Sequence, residues 1–235
     1  VFNYLSQHTR KDVYSGKLLK TSLLLFGITL LIILLLYLNG IFGGREYWEF
    51  PPLLAIPIGL GWLLLIVNFM RSLISFRQQP VYIWMWITGL AFFLFTFLES
   101  YLWIFPYFRN NVVNDMTVRW KSYGSMVGSW NMLIYGCVLF LIEKISGDDN
   151  YSKSKVSFAL YFLGLINLLF NWGHHIYTLP THHFIKTISY IVSMSELLIL
   201  ARIIYNWKSS ITTAQKLSFL PSYKLIIAAD VWILL

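Results

Sequence analysis

The sequence predicts an all-α, polytopic bundle of membrane-spanning helices, and three observations predict it. Hydrophobic residues make up 57% of the 235 residues and charged residues only 12%, about half the charged share of a soluble domain. The apolar residues stand in uninterrupted blocks of about twenty, the length that crosses a bilayer as a helix. Ten Trp and fifteen Tyr suit the aromatic belts at the two lipid–water interfaces. The net charge of +8 does not point to nucleic acid, because the basic residues flank apolar blocks and form no stripe. Cys137 is the one cysteine, so no disulfide forms within the chain.

Six complete spans follow in order, at roughly 18–41, 53–76, 81–105, 123–146, 155–178 and 184–207. A seventh starts near Lys224, with Asp230 just inside it, and is cut short. All belong to one transmembrane domain, residues 1–235. Gly, Pro and charge clusters separate the spans: Gly43-Gly44-Arg45-Glu46, Arg77-Gln78-Gln79-Pro80, Gly147-Asp148-Asp149-Asn150 and Leu179-Pro180. The chain opens at Val1 without Met and ends in an apolar run, so it is expected to be the middle of a longer protein. Of the 18 Lys and Arg, Arg45, Arg109, Arg119, Lys121 and Lys186 fall on one side of the membrane and the rest on the other. That asymmetry puts the amino terminus in the cytoplasm.

The first two spans are close to pure hydrocarbon and read as lipid-facing or packing helices. The next four each carry a polar stripe at helical spacing, and polar groups inside a bilayer are costly enough to need a reason. The third span offers Thr88, Thr96, Glu99 and Trp103. The fourth offers Tyr123, Asn131 and Tyr135, with Gly124 and Gly128 forming a small-residue step where a neighbouring helix approaches closely. The fifth puts Asn167, Asn171, His174, His175 and Thr178 on one face. The sixth offers Lys186, Ser189, Ser193 and Glu196.

At 1.5 Å per residue, His175 lies roughly 6 Å inside the outer end of its span, Glu99 roughly 9 Å and Glu196 about 18 Å, near the midplane. The histidines, Glu99 and Tyr123 therefore converge in the outer third of the membrane, with Glu196 beneath. Adjacent histidines on one element can share a metal if the backbone lets the rings converge, and imidazole suits iron, copper or zinc. The bland reading is that the pair are satisfied polar residues in a bundle. Thr181-His182-His183 reads as a solvated outer loop, as do Asp115, Arg119 and Lys121 in a loop over 106–122. No phosphate-binding loop, nucleotide fingerprint, nucleophile elbow or cysteine-based zinc spacing is present.

Four ordered motifs carry a resemblance. Gly44-Arg45-Glu46-Tyr47-Trp48-Glu49-Phe50 precedes a span that begins Ile56-Pro57-Ile58. Trp120 to Asn131 follows as a second motif, Trp172-Gly173-His174-His175-Ile176-Tyr177 as a third and Ser193-Met194-Ser195-Glu196 as a fourth. Together they resemble the haem-copper oxidoreductase catalytic subunit, and within it the large subunit of bacterial nitric oxide reductases. The resemblance covers the whole chain, as roughly the fourth to ninth of about twelve helices.

It implies a low-spin haem, a high-spin haem and a non-haem iron or copper. It implies that His174 and His175 ligate that metal, and that Glu196 supports proton delivery or metal binding. The first metal ligand of the family aligns with Tyr123, and two positions that are glutamates in typical nitric oxide reductases read Val127 and Asn131. The third ligand is then Tyr123, Glu99, a residue outside the chain, or absent. The haem-ligating histidines are expected outside it.

The implied function is reduction of nitric oxide to nitrous oxide in a bacterial cytoplasmic membrane. The electron donor would be cytochrome c or quinol, and a small cytochrome c or cupredoxin subunit a further partner. Two alternatives stand beside it: oxygen reduction with copper at the same site, and a transporter or scaffold that binds no haem.

Overall fold

The computed structural model describes residues 1–73 and 75–234. The Asp230 side chain lies outside the described residues, as do those of Ile233 and Leu234. The chain is helical: α1 (Phe2–Thr9), α2 (Gly16–Leu38), α3 (Ala55–Ser72), α4 (Val81–Glu99), α5 (Pro106–Arg109), α6 (Val112–Ser146), α7 (Asn150–Lys153), α8 (Lys155–Phe170), α9 (His183–Ser210), α10 (Thr213–Ser218) and α11 (Leu220–Leu234). Short 3-10 turns cover Pro52–Leu54, Leu102–Ile104 and Asn171–His175. Among the described residues the one β contact is an isolated bridge between Arg45 and Trp48.

Six stretches are long and apolar enough to cross a membrane: Gly16–Leu38, Pro52–Ser72, Val81–Ile104, Val112–Ser146, Lys155–His175 and His183–Ser210. They answer to the six expected spans, and the chain is a multi-pass membrane protein. The expected seventh corresponds to α11, which starts at Leu220.

Lipid tails are as apolar as leucine, so helices in a bilayer associate through close packing and hydrogen bonds. The arrangement follows that rule. The Leu-rich α2 exposes most of its surface, including Leu24, Leu31 and Leu35. It is fixed at one end, where the Asn68 side chain on α3 exchanges two 3.0 Å hydrogen bonds with the Ser15 backbone. At the centre α4 packs along α6, and Tyr82, Trp86, Met132 and Leu139 are fully buried or nearly so. Thr88 on α4 shares a 3.0 Å hydrogen bond with the Tyr161 hydroxyl on α8.

The fourth span departs from expectation at its outer end. The charged run 112–122 is not a solvated loop but the first three turns of α6, capped by Asn111, whose side chain accepts from the Asn114 N–H. At 35 residues, α6 is about 52 Å long, far more than the roughly 30 Å of hydrocarbon. Asp115, Arg119 and Lys121 stand in its N-terminal turns. Arg45 pairs there with Asp115, Arg119 with Glu46, and Lys121 with Glu99. These are long-range pairs with partners from the connection between α2 and α3 and from α4.

The fifth span departs as well. Its helix stops at Phe170, and residues 171–175 form the tighter turn. Thr178 therefore does not continue the face that carries Asn167 and Asn171.

Candidate metal centre

The His-His pair stands where α6, the 171–175 turn and α9 meet. Gly124 makes that meeting possible. A Cβ there would lie 2.5 Å from the Cα of Trp172 and 2.8 Å from its nitrogen. Gly128, one turn on, faces Leu168 in the same way at 3.0 Å. The expected small-residue step thus seats the turn against α6. The Asn171 side chain locks the contact by donating to the Gly124 carbonyl at 3.0 Å.

The turn brings the two imidazoles together, with ring centroids 4.2 Å apart and planes at 42°. His175 stacks on Trp120 at 5.8 Å and 10°. His174 is held from α9: its N–H donates to Ser189 Oγ at 3.1 Å, and its Nδ1 lies 3.2 Å from the same oxygen. Beside His175 opens a cavity of about 290 Å³, lined chiefly by aromatic groups, among them Tyr47, Trp48, Trp120 and Tyr123.

The structure brings Tyr123 and His175 to one cavity. The Tyr123 hydroxyl donates to the Glu46 carbonyl at 2.6 Å, and its ring meets Tyr47 edge-on. Glu99 goes elsewhere, to Lys121, with its second oxygen buried and unpartnered. Glu196 is buried below the turn, where Asn167 Nδ2 donates to its carboxylate at 2.5 Å. Gly164 leaves room for it, since a Cβ there would lie 3.2 Å from Glu196 Oε1. Ser193 ties the two asparagines together, its hydroxyl 3.3 Å from both Asn167 Oδ1 and Asn171 Oδ1. A polar ladder thus runs from Glu196 to His174 along the α8–α9 seam.

His183 is not a loop residue. It begins α9 and lines a separate cavity with Lys186, whose ammonium donates to the carbonyls of Tyr177 and Leu179.

The sequence matches the family described as Cytochrome C and Quinol oxidase polypeptide I over residues 1–234. The chain belongs to this family of haem-copper oxidoreductase catalytic subunits. No curated protein and no solved structure matches it. Membership makes it part of a haem-copper terminal oxidoreductase. Such enzymes contain haem together with copper or non-haem iron. The described residues fit the non-haem metal as far as two imidazole donors whose rings converge. Among them no group of three His, Cys, Asp or Glu gathers as a metal site, and Tyr123 spends its proton on Glu46.

Sequence reasoning did not identify the partners that hold this geometry. Lys121 on Glu99 is one. It also did not identify a separate cluster, at the other end of α4 from Glu99, in which the Tyr82 hydroxyl meets His8 Nδ1 at 2.8 Å and Glu143 at 3.3 Å.

Proposed function

We propose that this chain is the central part of a catalytic subunit that reduces nitric oxide, 2 NO + 2 e⁻ + 2 H⁺ giving N₂O and H₂O. The observation that carries the reading is the Trp172–Tyr177 turn with its convergent imidazoles, followed on the next helix by a buried glutamate. That combination resembles the nitric oxide branch of the family more than the oxygen branch. The non-haem metal, iron or copper, supplies Lewis acidity and an electron relay when bound, and His174 and His175 would hold it.

The chain's own groups divide the remaining work. The aromatic cavity beside His175, open along Tyr47, Val127 and Trp130, gives a small apolar gas an apolar approach to the histidines. Glu196 holds or releases a proton beneath the turn. Asn167 orients it but does not pass that proton on, because an amide nitrogen only donates and an amide oxygen only accepts. Tyr123 closes the outer wall of the cavity, and Glu99 with Lys121 forms a charged gate further out. The setting is a bacterial cytoplasmic membrane, with cytochrome c or quinol as donor and a cytochrome c or cupredoxin subunit as partner.

The test follows nitric oxide with an electrode in reduced, anaerobic membranes that contain the intact subunit, against membranes from vector-only cells. Loss of nitric oxide with nitrous oxide appearing is expected. Replacement of His174 or His175 by Ala should abolish turnover and empty the non-haem site. Haem-loaded membranes that consume oxygen but not nitric oxide would overturn the nitric oxide reading in favour of the oxygen one. Turnover by H174A with full metal content would overturn the ligand assignment.

A further inference from the structure

We infer that Ser189 is a positioning residue that fixes the tautomer of His174, and with it the ring nitrogen offered to a metal. The inference rests on His174 being a ligand, as proposed above.

The argument is a count of protons on one oxygen. A serine hydroxyl has one proton to give and two lone pairs that accept. Ser189 is fully buried, so water does not supply or take any of these bonds. Its oxygen has three neighbours. The Asn171 carbonyl, 3.2 Å away, can only accept. The His174 backbone N–H, 3.1 Å away, can only donate. His174 Nδ1, 3.2 Å away, can do either. All three contacts are hydrogen bonds in one arrangement alone. The hydroxyl proton goes to Asn171, one lone pair takes the His174 N–H, and the other takes a proton that Nδ1 itself carries. A neutral imidazole protonated at Nδ1 has its free lone pair on Nε2. Nε2 is therefore the atom His174 presents to a metal.

Backbone packing enforces the contact. At Gly173 a Cβ would lie 2.8 Å from the Ile185 carbonyl and 2.9 Å from Ser189 Cβ. The turn thus approaches α9 as closely as a residue without a side chain permits, and the next residue is His174. Hydrogen bonds of this kind orient a ligand ring, and their removal typically costs 10–100-fold in metal affinity.

The test labels the histidines of the intact subunit with ¹⁵N and reads ring-nitrogen shifts by solid-state NMR after chelator treatment. Signals that vanish in His174→Asn belong to His174. Metal content of the as-purified protein is measured in parallel. Wild type should show His174 protonated at Nδ1. Ser189→Ala should spread it over both tautomers and lower non-haem metal affinity 10–100-fold, with haem absorption unchanged. Ser189→Thr, which keeps the hydroxyl, should restore both readings. Ser195→Ala, half-buried on the same helix with its hydroxyl on the Ile191 carbonyl, should alter neither.

A wild-type His174 protonated at Nε2 would overturn the inference, as would an S189A protein with unaltered tautomer and metal affinity. The stated tautomer in a wild-type subunit that binds no non-haem metal would instead overturn the ligand reading and leave the tautomer assignment standing. If S189A does not fold, the wild-type spectrum alone decides.

Discussion

A methyl group added at Gly124 should displace the histidine turn, and the structure says by how much. The new Cβ of Gly124→Ala would meet the backbone of Trp172 at 2.5 and 2.8 Å, where ordinary contact begins near 3.4 Å. No flexible side-chain end lies there to move aside, so α6 and the turn must separate by close to an ångström. Overpacking of this kind costs about 1–3 kcal/mol. Separation also stretches the Asn171 bond to the Gly124 carbonyl, worth roughly 1 kcal/mol. The expected loss is therefore about 2–4 kcal/mol, or roughly 4–16 °C of melting temperature at this chain length. Two other glycines calibrate it. At Gly128 the nearest atom is the movable Leu168 Cδ2 at 3.0 Å, so G128A should cost less. At Gly27 nothing lies within 4 Å, and G27A should stabilise by about 0.5–1 kcal/mol, the usual gain of Ala over Gly inside a helix. The assay is thermal unfolding in detergent followed by size-exclusion chromatography, with metal stoichiometry read on the same fractions. G124A should also lose non-haem metal. A G124A protein as stable and as fully metallated as wild type would refute the close-contact argument.

Further outcomes follow from single partners. Asn167→Leu leaves the buried Glu196 without its donor and should cost about 1–3 kcal/mol, whereas adding Glu196→Leu should recover most of it, because removing both partners of a buried bond is close to neutral. A double-mutant cycle by thermal unfolding measures this, and a zero coupling energy would sink it. Lys121→Met strands the mostly buried Glu99 and should destabilise by about 1 kcal/mol or more. Lys153→Ala, in an exposed pair with Asp149, should leave the melting temperature where it was. Tyr82→Phe deletes the hydroxyl between His8 and Glu143 and should loosen α1, read as faster proteolysis near residues 10–15 with the rest of the bundle intact.

The spans were legible because length and apolarity nearly suffice to define a transmembrane helix, and Gly, Pro and charge mark the ends. The outer extension of α6 was not. Asp115, Arg119 and Lys121 look like loop charges to any local reading, and their partners Arg45, Glu46 and Glu99 lie 22 to 73 residues away. Nothing in the local pattern tells a paired charge on a helix from a solvated one in a loop. The histidine pair was legible as a motif, and so were the glycine step at Gly124 and Gly128 and the stripes that hold Asn167, Asn171, Ser189 and Glu196. Their pairing was not, since a stripe gives a face and leaves open which donor meets which acceptor.

The end of α8 shows how far that distinction reaches. Periodicity alone carries the helix on to residue 178, and no proline stands between Phe170 and Thr178 to stop it. Continued as an α-helix, the His174 N–H would donate to the Phe170 carbonyl four residues back. In the folded chain it donates to Ser189 on α9, while Asn171 spends its amide on Gly124 of α6. Two neighbouring helices thus take over bonds that the local sequence would have kept, and the backbone tightens into the 3-10 turn. That tightening accompanies imidazole rings 4.2 Å apart on residues that a regular helix would splay by about 100°. The convergence of the two rings is therefore a tertiary product. It depends on a glycine in α6 and a serine in α9 as much as on the histidines, which is why substitutions at those two positions should weaken metal binding without touching a ligand.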